Sequence, residues 1–212
     1  MIMKSNLEQF FDDFSSEYDK KLKNSYFSKN LYWVVEEIFG KKYSNILDIG
    51  CGTGLLLNIL NELYPNSKLN GVDISEKMIL KATNNVPRAN IVKSDVHSLP
   101  FDDEKFDLVV CTASFHHYEN DFSVMNEVKR VLKPGGKFIV LDSIRDPFYL
   151  SWLPYYWDWI DSRKCYSKHL HEKEFVELFH KSGLTEIKYS RKYKLLPVVH
   201  LLISGVKGED SF

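Results

Sequence analysis

Cysteine is scarce in this sequence, and its scarcity argues against a disulfide-stapled secreted domain. The chain of 212 residues contains three cysteines, Cys51, Cys111 and Cys165, which are widely separated and lack the spacing of metal ligands. The first ten residues also lack the composition of a signal peptide. We therefore expect reduced thiols, a cytoplasmic location and no metal site.

Neither an excess of one charge nor a long apolar run is present. The net charge of −1 and the pI near 6.7 indicate no basic surface, so we expect no nucleic-acid partner. The longest apolar stretch, 198–203, is interrupted by His200 and is far shorter than the ~18 residues of a membrane helix, which predicts no integral membrane segment. A hydrophobic content of 44% predicts one domain with its own core.

Glycine is present where it can shape a turn. An apolar segment at 46–49 is followed by glycine at positions 50, 52 and 54, and a helical apolar pattern begins at Leu55. Glycine permits positive φ and close approach of a ligand, and a helix N-terminus offers unpaired N–H groups. This order of strand, glycine turn and helix predicts a nucleotide-binding loop. The alternative is a turn that only connects strand to helix.

Strand patterns recur along the chain, mostly with helical segments between them. They lie at 46–49, 68–72, 90–93, 106–111 and 137–142. The alternation predicts an α/β fold with a doubly wound parallel sheet, whose ligand binds at the carboxyl ends of the strands. The last two strand patterns, 185–193 and 197–207, are joined too closely for parallel pairing and predict an antiparallel pair. Residues 4–39 predict amphipathic helices.

Acidic residues follow the second and third strand patterns. Asp73 lies 19 residues after Gly54, at a strand end where a carboxylate can accept both hydroxyls of a ribose. Asp95 follows the next strand and can accept a hydrogen bond from an exocyclic amine such as that of adenine. The alternative for Asp73 is a turn-forming aspartate. Ser75 is a predicted helix N-cap.

Five short motifs, in order, resemble those of class I S-adenosylmethionine-dependent methyltransferases. They are 47–54 (LDIGCGTG), 72–75 (VDIS), 94–95 (SD), 106–110 (FDLVV) and 130–136 (RVLKPGG). The stretch 11–19 is similar to the lead-in of the branch that includes ubiquinone- and menaquinone-biosynthesis methyltransferases. The resemblance implies a Rossmann-like, seven-stranded sheet, mostly parallel with an antiparallel last strand, and S-adenosylmethionine as cofactor.

The same resemblance implies roles for individual residues. The glycine turn would surround the methionine part of the cofactor, with Asp48 supporting the turn and Thr112 near the methionine end. Asp73 would hold the ribose, and Asp95 the adenine amine. For Tyr18, packing against the sheet is the alternative to ligand contact. The predicted cofactor-binding set is Tyr18, Asp48, Gly50, Cys51, Gly52, Thr53, Gly54, Asp73, Ile74, Met78, Ser94, Asp95, Val96, Thr112 and His117.

Two adjacent histidines, His116 and His117, follow the fourth strand pattern. Histidine is the usual base where an acceptor must lose a proton, so both are candidate catalytic residues. The alternative is that they shape the loop. Residues 146–166 are rich in aromatic side chains, and three roles stay open for them: a pocket wall, a packed lid helix or a homodimer contact.

These observations predict a single methyltransferase domain over 1–212. Its expected parts are a helical lead-in (1–44), a cofactor-binding core (45–142), a substrate or lid insertion (143–182) and a C-terminal hairpin (183–212). The predicted activity is methyl transfer to a small, apolar or aromatic acceptor. A non-catalytic cofactor-binding scaffold is one alternative. A dinucleotide-dependent oxidoreductase is less favoured, because Leu55 occupies the last glycine position of G-x-G-x-x-G.

Overall fold

One seven-stranded sheet organises the residues that the structure, a computed structural model, describes, namely 7–15, 26–145, 166–193 and 199–209. The strands are β1 (Asn45–Ile49), β2 (Lys68–Asp73), β3 (Asn90–Lys93), β4 (Phe106–Thr112), β5 (Leu132–Ile144), β6 (Leu184–Tyr193) and β7 (Val199–Lys207). The helices are α1 (7–15), α2 (Tyr26–Ile38), α3 (Leu55–Leu63), α4 (Glu76–Asn85), α5 (Asp121–Val131) and α6 (Glu172–Lys181), with a short 3-10 helix at Phe115–His117.

The strand order is β3-β2-β1-β4-β5-β7-β6. Strands β1 to β5 pair in parallel, whereas β7 is antiparallel to both β5 and β6. This confirms the predicted doubly wound sheet with an antiparallel last strand. The order reverses direction at β1, which lies between β2 and β4, and the carboxyl ends of these strands form the edge where such folds bind ligands.

Two apolar cores cover the two faces of the sheet. Leu47 and Ile49 of β1 face one core, to which α5 and α6 contribute, and Ile46 faces the other, to which α2, α3 and α4 contribute. Because successive side chains of a strand point to opposite faces, burial of all three explains why the strand reads as an apolar run interrupted by Asp48.

The predicted strand positions are largely observed, with one difference at β5. The strand pattern at 137–142 predicts a start at Lys137, but β5 begins at Leu132, which pairs with Phe106. The next pairing joins Leu108 to Lys137, so one residue of β4, Asp107, lies opposite four of β5, 133–136, and this stretch forms an irregularity within the strand. Leu132 is fully buried, and its packing draws the chain into the sheet earlier than proline and glycine suggest.

Two predictions fall wholly or mainly outside the described residues. Tyr18 lies in 16–25, and the aromatic insertion lies in 146–165 except for Tyr166. Within the described ranges, no helix is both long and apolar enough to cross a membrane.

Candidate active site

The glycine turn after β1 has the conformation that its sequence predicts. Gly50, Gly52 and Gly54 all adopt positive φ, at 69°, 53° and 82°. The backbone N–H groups of Gly50 and Cys51 both donate to the carbonyl oxygen of Val72, at 2.9 and 3.0 Å. The turn is therefore anchored to the end of β2, and its third glycine caps the N-terminus of α3.

Asp73, the last residue of β2, completes this anchoring. Its carboxylate accepts hydrogen bonds from the backbone N–H groups of Gly52 (2.8 Å) and Ser75 (2.9 Å). Burial raises the pKa of this carboxyl, and the hydrogen bonds from Ser75 and Gly52 only partly oppose the rise. Each carboxylate oxygen has two lone pairs, so both backbone bonds leave capacity for ligand hydroxyls.

A pocket that is partly open to solvent lies along the carboxyl edge of the sheet, with an empty space of about 820 Å³ when the open solvent in its mouth is included. It gathers residues from four successive strand ends and from α1, whose Leu7 and Phe11 cover one side. Nine predicted residues line it: Gly50, Gly52, Asp73, Ile74, Met78, Ser94, Asp95, Val96 and His117.

A second, smaller cavity lies on the other side of the glycine turn. Four predicted residues line it together with Gly50: Asp48, Cys51, Thr53 and Thr112. Asp48 is 1% exposed, and its Oδ1 atom finds no hydrogen-bond partner among the residues that the structure describes. Burial, and secondarily the nearby charge of Asp73, raises the pKa of the Asp48 carboxyl well above its usual range.

Two further contacts shape the turn. The Gly52 amide donates to the Asp73 carboxylate, while support of the turn by Asp48 stays a prediction. A Cβ on Gly54 would lie 3.3 Å from Ala82, so this glycine permits close packing of α3 on α4. Gly54 lines neither cavity, and its contact with the cofactor also stays a prediction.

The predicted pair of histidines divides between two environments. His117 lines the pocket, and its Nδ1 atom lies 2.8 Å from the carbonyl oxygen of Tyr166. That contact assigns the ring proton to Nδ1 and makes Nε2 the acceptor nitrogen. Burial, and then the neighbouring His116, lowers the pKa of His117 to about 3, so the ring is neutral at physiological pH.

His116 faces the end of β5 instead. Its Nδ1 atom lies 2.8 Å from the Asp142 carboxylate, which also accepts the His116 backbone N–H at 3.1 Å. Burial raises the pKa of Asp142, but the charge and hydrogen bond of His116 outweigh it and bring the pKa to about 2. His116 is therefore held behind the pocket wall that His117 forms.

Several pocket residues were not predicted individually. They are Leu7, Phe11, His97, Ala113, Ser114, Tyr118, Glu119 and Tyr166. His97 pairs with Asp95 through Nδ1 at 2.6 Å, and its Nε2 atom has no hydrogen-bond partner in the described part of the chain. The spacing of Ser114 and Tyr118, four residues apart just after β4, was the available signal, and their hydroxyls lie 3.0 Å apart.

The residues present fit an adenosyl sulfonium. Two buried carboxyl groups, Asp48 and Asp73, flank a turn whose backbone is held open by positive-φ glycines. S-adenosylmethionine carries an ammonium and a sulfonium, and a nearby cation would stabilise the buried Asp48 carboxylate, whose Oδ1 lacks a partner within the described residues. This pair of carboxyl groups thus suits a cationic nucleoside better than a negatively charged pyrophosphate.

Comparison with known proteins gives a consistent result. Residues 47–140 match the family described as a methyltransferase domain. A demethylmenaquinone methyltransferase from Thermotoga maritima is 29% identical over 142 residues, which are 66% of this chain and 62% of that protein. The match therefore spans less than two thirds of this curated relative.

Solved structures show the same fold. A SAM-dependent methyltransferase from Thermotoga maritima has a TM-score of 0.76 and 23% identity, covering 95% of this chain and 99% of that chain. Phosphoethanolamine N-methyltransferase 2 from Haemonchus contortus, in complex with S-adenosyl-L-methionine, has a TM-score of 0.71 and 16% identity, covering 94% of this chain and 60% of that chain. The family match over residues 47–140 and the sheet order agree, so this chain is similar to S-adenosylmethionine-dependent methyltransferases in sequence over that range and in fold.

Proposed function

We propose that this protein transfers the methyl group of S-adenosylmethionine to a small aromatic acceptor of the quinone type. The observation that supports it most is the single pocket in which the Asp73 carboxylate and the aromatic rings of Phe11, Tyr118 and Tyr166 share one space. The name of the Thermotoga maritima relative, a demethylmenaquinone methyltransferase, favours a quinone-type ring among aromatic acceptors.

On the cofactor side, the proposal assigns three contacts. Asp73 accepts the ribose hydroxyls, because its carboxylate already lies at the end of β2 facing the pocket. Asp95 accepts the adenine amine beside Val96. The methionine part follows the glycine turn, with its ammonium near Asp48 and Thr112. Ile74 and Met78 supply the apolar surface for the adenine ring.

On the acceptor side, the proposal assigns His117 the contact with the reacting molecule. Its ring lies edge-on to Phe11, with centroids 5.1 Å apart, so the two rings pack together as one largely apolar wall of the pocket. Nε2 can accept a hydrogen bond from an acceptor hydroxyl. Because the low pKa makes His117 a weak base, its main contribution is orientation, with full proton transfer limited to acidic acceptors.

When bound, the cofactor would supply a methyl group on a sulfonium: an electron pair of the acceptor would form the new bond to the methyl carbon, and the pair of the broken bond would remain on a neutral thioether. The protein holds the acceptor in line with that bond and excludes water from the pocket. Helix α1 contributes to this exclusion, since Asp12 accepts hydrogen bonds from Ser75 and from the Lys77 backbone and so fixes α1 over the pocket.

The test is a transfer assay with methyl-labelled S-adenosylmethionine and a short-chain demethylmenaquinone in its reduced form. We expect labelled quinone product with the wild-type chain and strongly reduced product with Asp73→Asn. Binding of S-adenosylhomocysteine without labelled product from this acceptor or from a panel of phenols and amines would favour the non-catalytic scaffold. Absence of binding would refute the proposal at its first step.

A further inference from the structure

A cluster of metal-ligating side chains lies behind the pocket wall. His116, Asp142 and His169 each offer one ligand atom, and these atoms all lie within 4.8 Å of one another. We propose that this cluster, the His116–Asp142–His169 site, binds one divalent transition-metal ion of the zinc, iron or cobalt class. The proposal is independent of the methyl acceptor.

The fold, and no local sequence motif, creates this cluster. His116 comes from the 3-10 helix after β4, Asp142 from β5, and His169 from the segment before α6. The His169 segment is fixed by backbone hydrogen bonds from Lys168 to His116 (2.7 Å) and from Arg145 to Leu170 (3.2 Å). Main-chain bonds on both sides therefore hold His169 close to the other two ligands.

The environment suits an ion. Asp142 is 1% exposed and His169 is 8% exposed, and the His116 and His169 rings stack with centroids 4.4 Å apart. A buried carboxylate among imidazoles is stabilised by a cation that shares all three donors. Two imidazoles and one carboxylate favour zinc, iron or cobalt over magnesium or calcium, which prefer oxygen ligands.

The geometry requires a small adjustment. Ligand atoms on one tetrahedral zinc ion lie about 3.4 Å apart, given zinc–ligand distances of about 2.1 Å. The 2.8 Å contact between His116 and Asp142 is already short enough, whereas the His169 ligand atom, within 4.8 Å of the other two, has to move closer. Three protein ligands leave at least one coordination position for water or an acceptor oxygen.

The position relates the ion to the pocket without placing it in the cofactor site. None of the three ligands lines the pocket, whereas the His117 ring, which does, has its centroid 4.0 Å from that of His116. An ion at this place would hold His116 and the loop after β4 in one arrangement.

The experiment uses the full chain, stripped with chelator and titrated separately with Zn²⁺, Co²⁺ and Mg²⁺ in the absence of cofactor. We expect one Zn²⁺ or Co²⁺ per chain by elemental analysis, no comparable Mg²⁺ binding, and a cobalt absorption spectrum of nitrogen and oxygen ligation without thiolate charge transfer. His169→Gln should weaken binding at least about 100-fold, because even outer-shell partners cost about 10–100-fold.

His180→Gln is the matched control, since His180 is an exposed histidine on α6, and its metal content should equal that of the wild type. Equal binding by His169→Gln and wild type would mean an adventitious ion and would overturn the proposal, as would substoichiometric Zn²⁺ in the wild type. If His169→Gln fails to fold, the melting temperature of the wild type tests the proposal instead. Zn²⁺ should raise this temperature and Mg²⁺ should not, and no rise with Zn²⁺ would overturn the proposal. If the wild type binds S-adenosylhomocysteine but shows no specific Zn²⁺ binding, the metal-site proposal is wrong and the proposed methyltransferase activity is unaffected.

Discussion

The Asp73 carboxylate accepts the backbone N–H of Gly52 across 2.8 Å, which ties the end of β2 to the glycine turn after β1. One side chain thereby fixes the turn and faces the pocket. The same carboxylate also accepts a hydrogen bond from the Ser75 N–H just before α4. The glycine turn, the end of β2 and the start of α4 therefore meet at this group. Effects of altering it should therefore appear first in ligand binding.

We expect Asp73→Asn to lower S-adenosylhomocysteine affinity about ten- to a hundredfold, measured by calorimetry. A hydrogen bond to a charged group contributes about 1.5–3 kcal/mol, and each 1.4 kcal/mol corresponds to about tenfold. Asp107→Asn is the matched control, because Asp107 also accepts two backbone N–H groups, those of Ser44 and Asn45, but does not line the pocket. A change within about twofold for Asp73→Asn would contradict the ribose assignment.

Gly50→Ala should destabilise the protein more than Gly135→Ala, as measured by urea unfolding. Both glycines have positive φ, at 69° and 74°, so both variants carry the same backbone penalty of about 1–2 kcal/mol. A Cβ on Gly50 would also lie 2.7 Å from the Tyr118 hydroxyl, whereas one on Gly135 meets nothing within 4 Å. Equal losses would show that the turn and the Ser114–Tyr118 segment are not closely packed.

Asp48→Asn should stabilise the cofactor-free protein at neutral pH while weakening cofactor binding. Burial raises the pKa of Asp48, so above the ordinary aspartate value the folded protein retains a proton that the unfolded chain has lost. Stability from this group therefore falls as pH rises, and the advantage of the variant should grow from about pH 4 upwards in urea unfolding. A loss of stability at pH 7 would contradict this sign.

His117→Gln should flatten the acid side of the stability profile. The folded pKa of about 3 lies below the ordinary histidine value, so between the two the unfolded chain binds a proton that the folded protein does not. Stability is fully present above about pH 6.5 and is lost as pH falls towards 3. The urea midpoints of His117→Gln and of the control His180→Gln, at an exposed site, are compared across this pH range. Their difference gives the contribution of His117 to the pH dependence of stability.

The architecture was predictable because its signals are local. The mostly buried strands β1 and β4 appear in the sequence as largely apolar runs, and the positive-φ glycines mark the turn between β1 and α3. The start of β5 was not predictable, because a buried Leu132 outweighs the local preference of a Lys-Pro-Gly-Gly segment for a turn.

The site was predictable only where its residues follow strand ends. Asp73 and Asp95 sit at such positions and line the pocket. By contrast, the pairing of His116 with Asp142 joins residues 26 positions apart, and no spacing rule reveals it. The expectation of no metal site rests on cysteine spacing, which carries no information about two histidines and one aspartate that only the fold brings together.

The hydrogen bond from the Lys168 amide to the His116 carbonyl makes one peptide proton an internal sensor for the loop after β4. A bound ion, acceptor or cofactor that stabilises this hydrogen bond should slow the exchange of that proton with solvent. The exchange rate of the Lys168 amide can thus rank ligands by how strongly they stabilise the loop after β4.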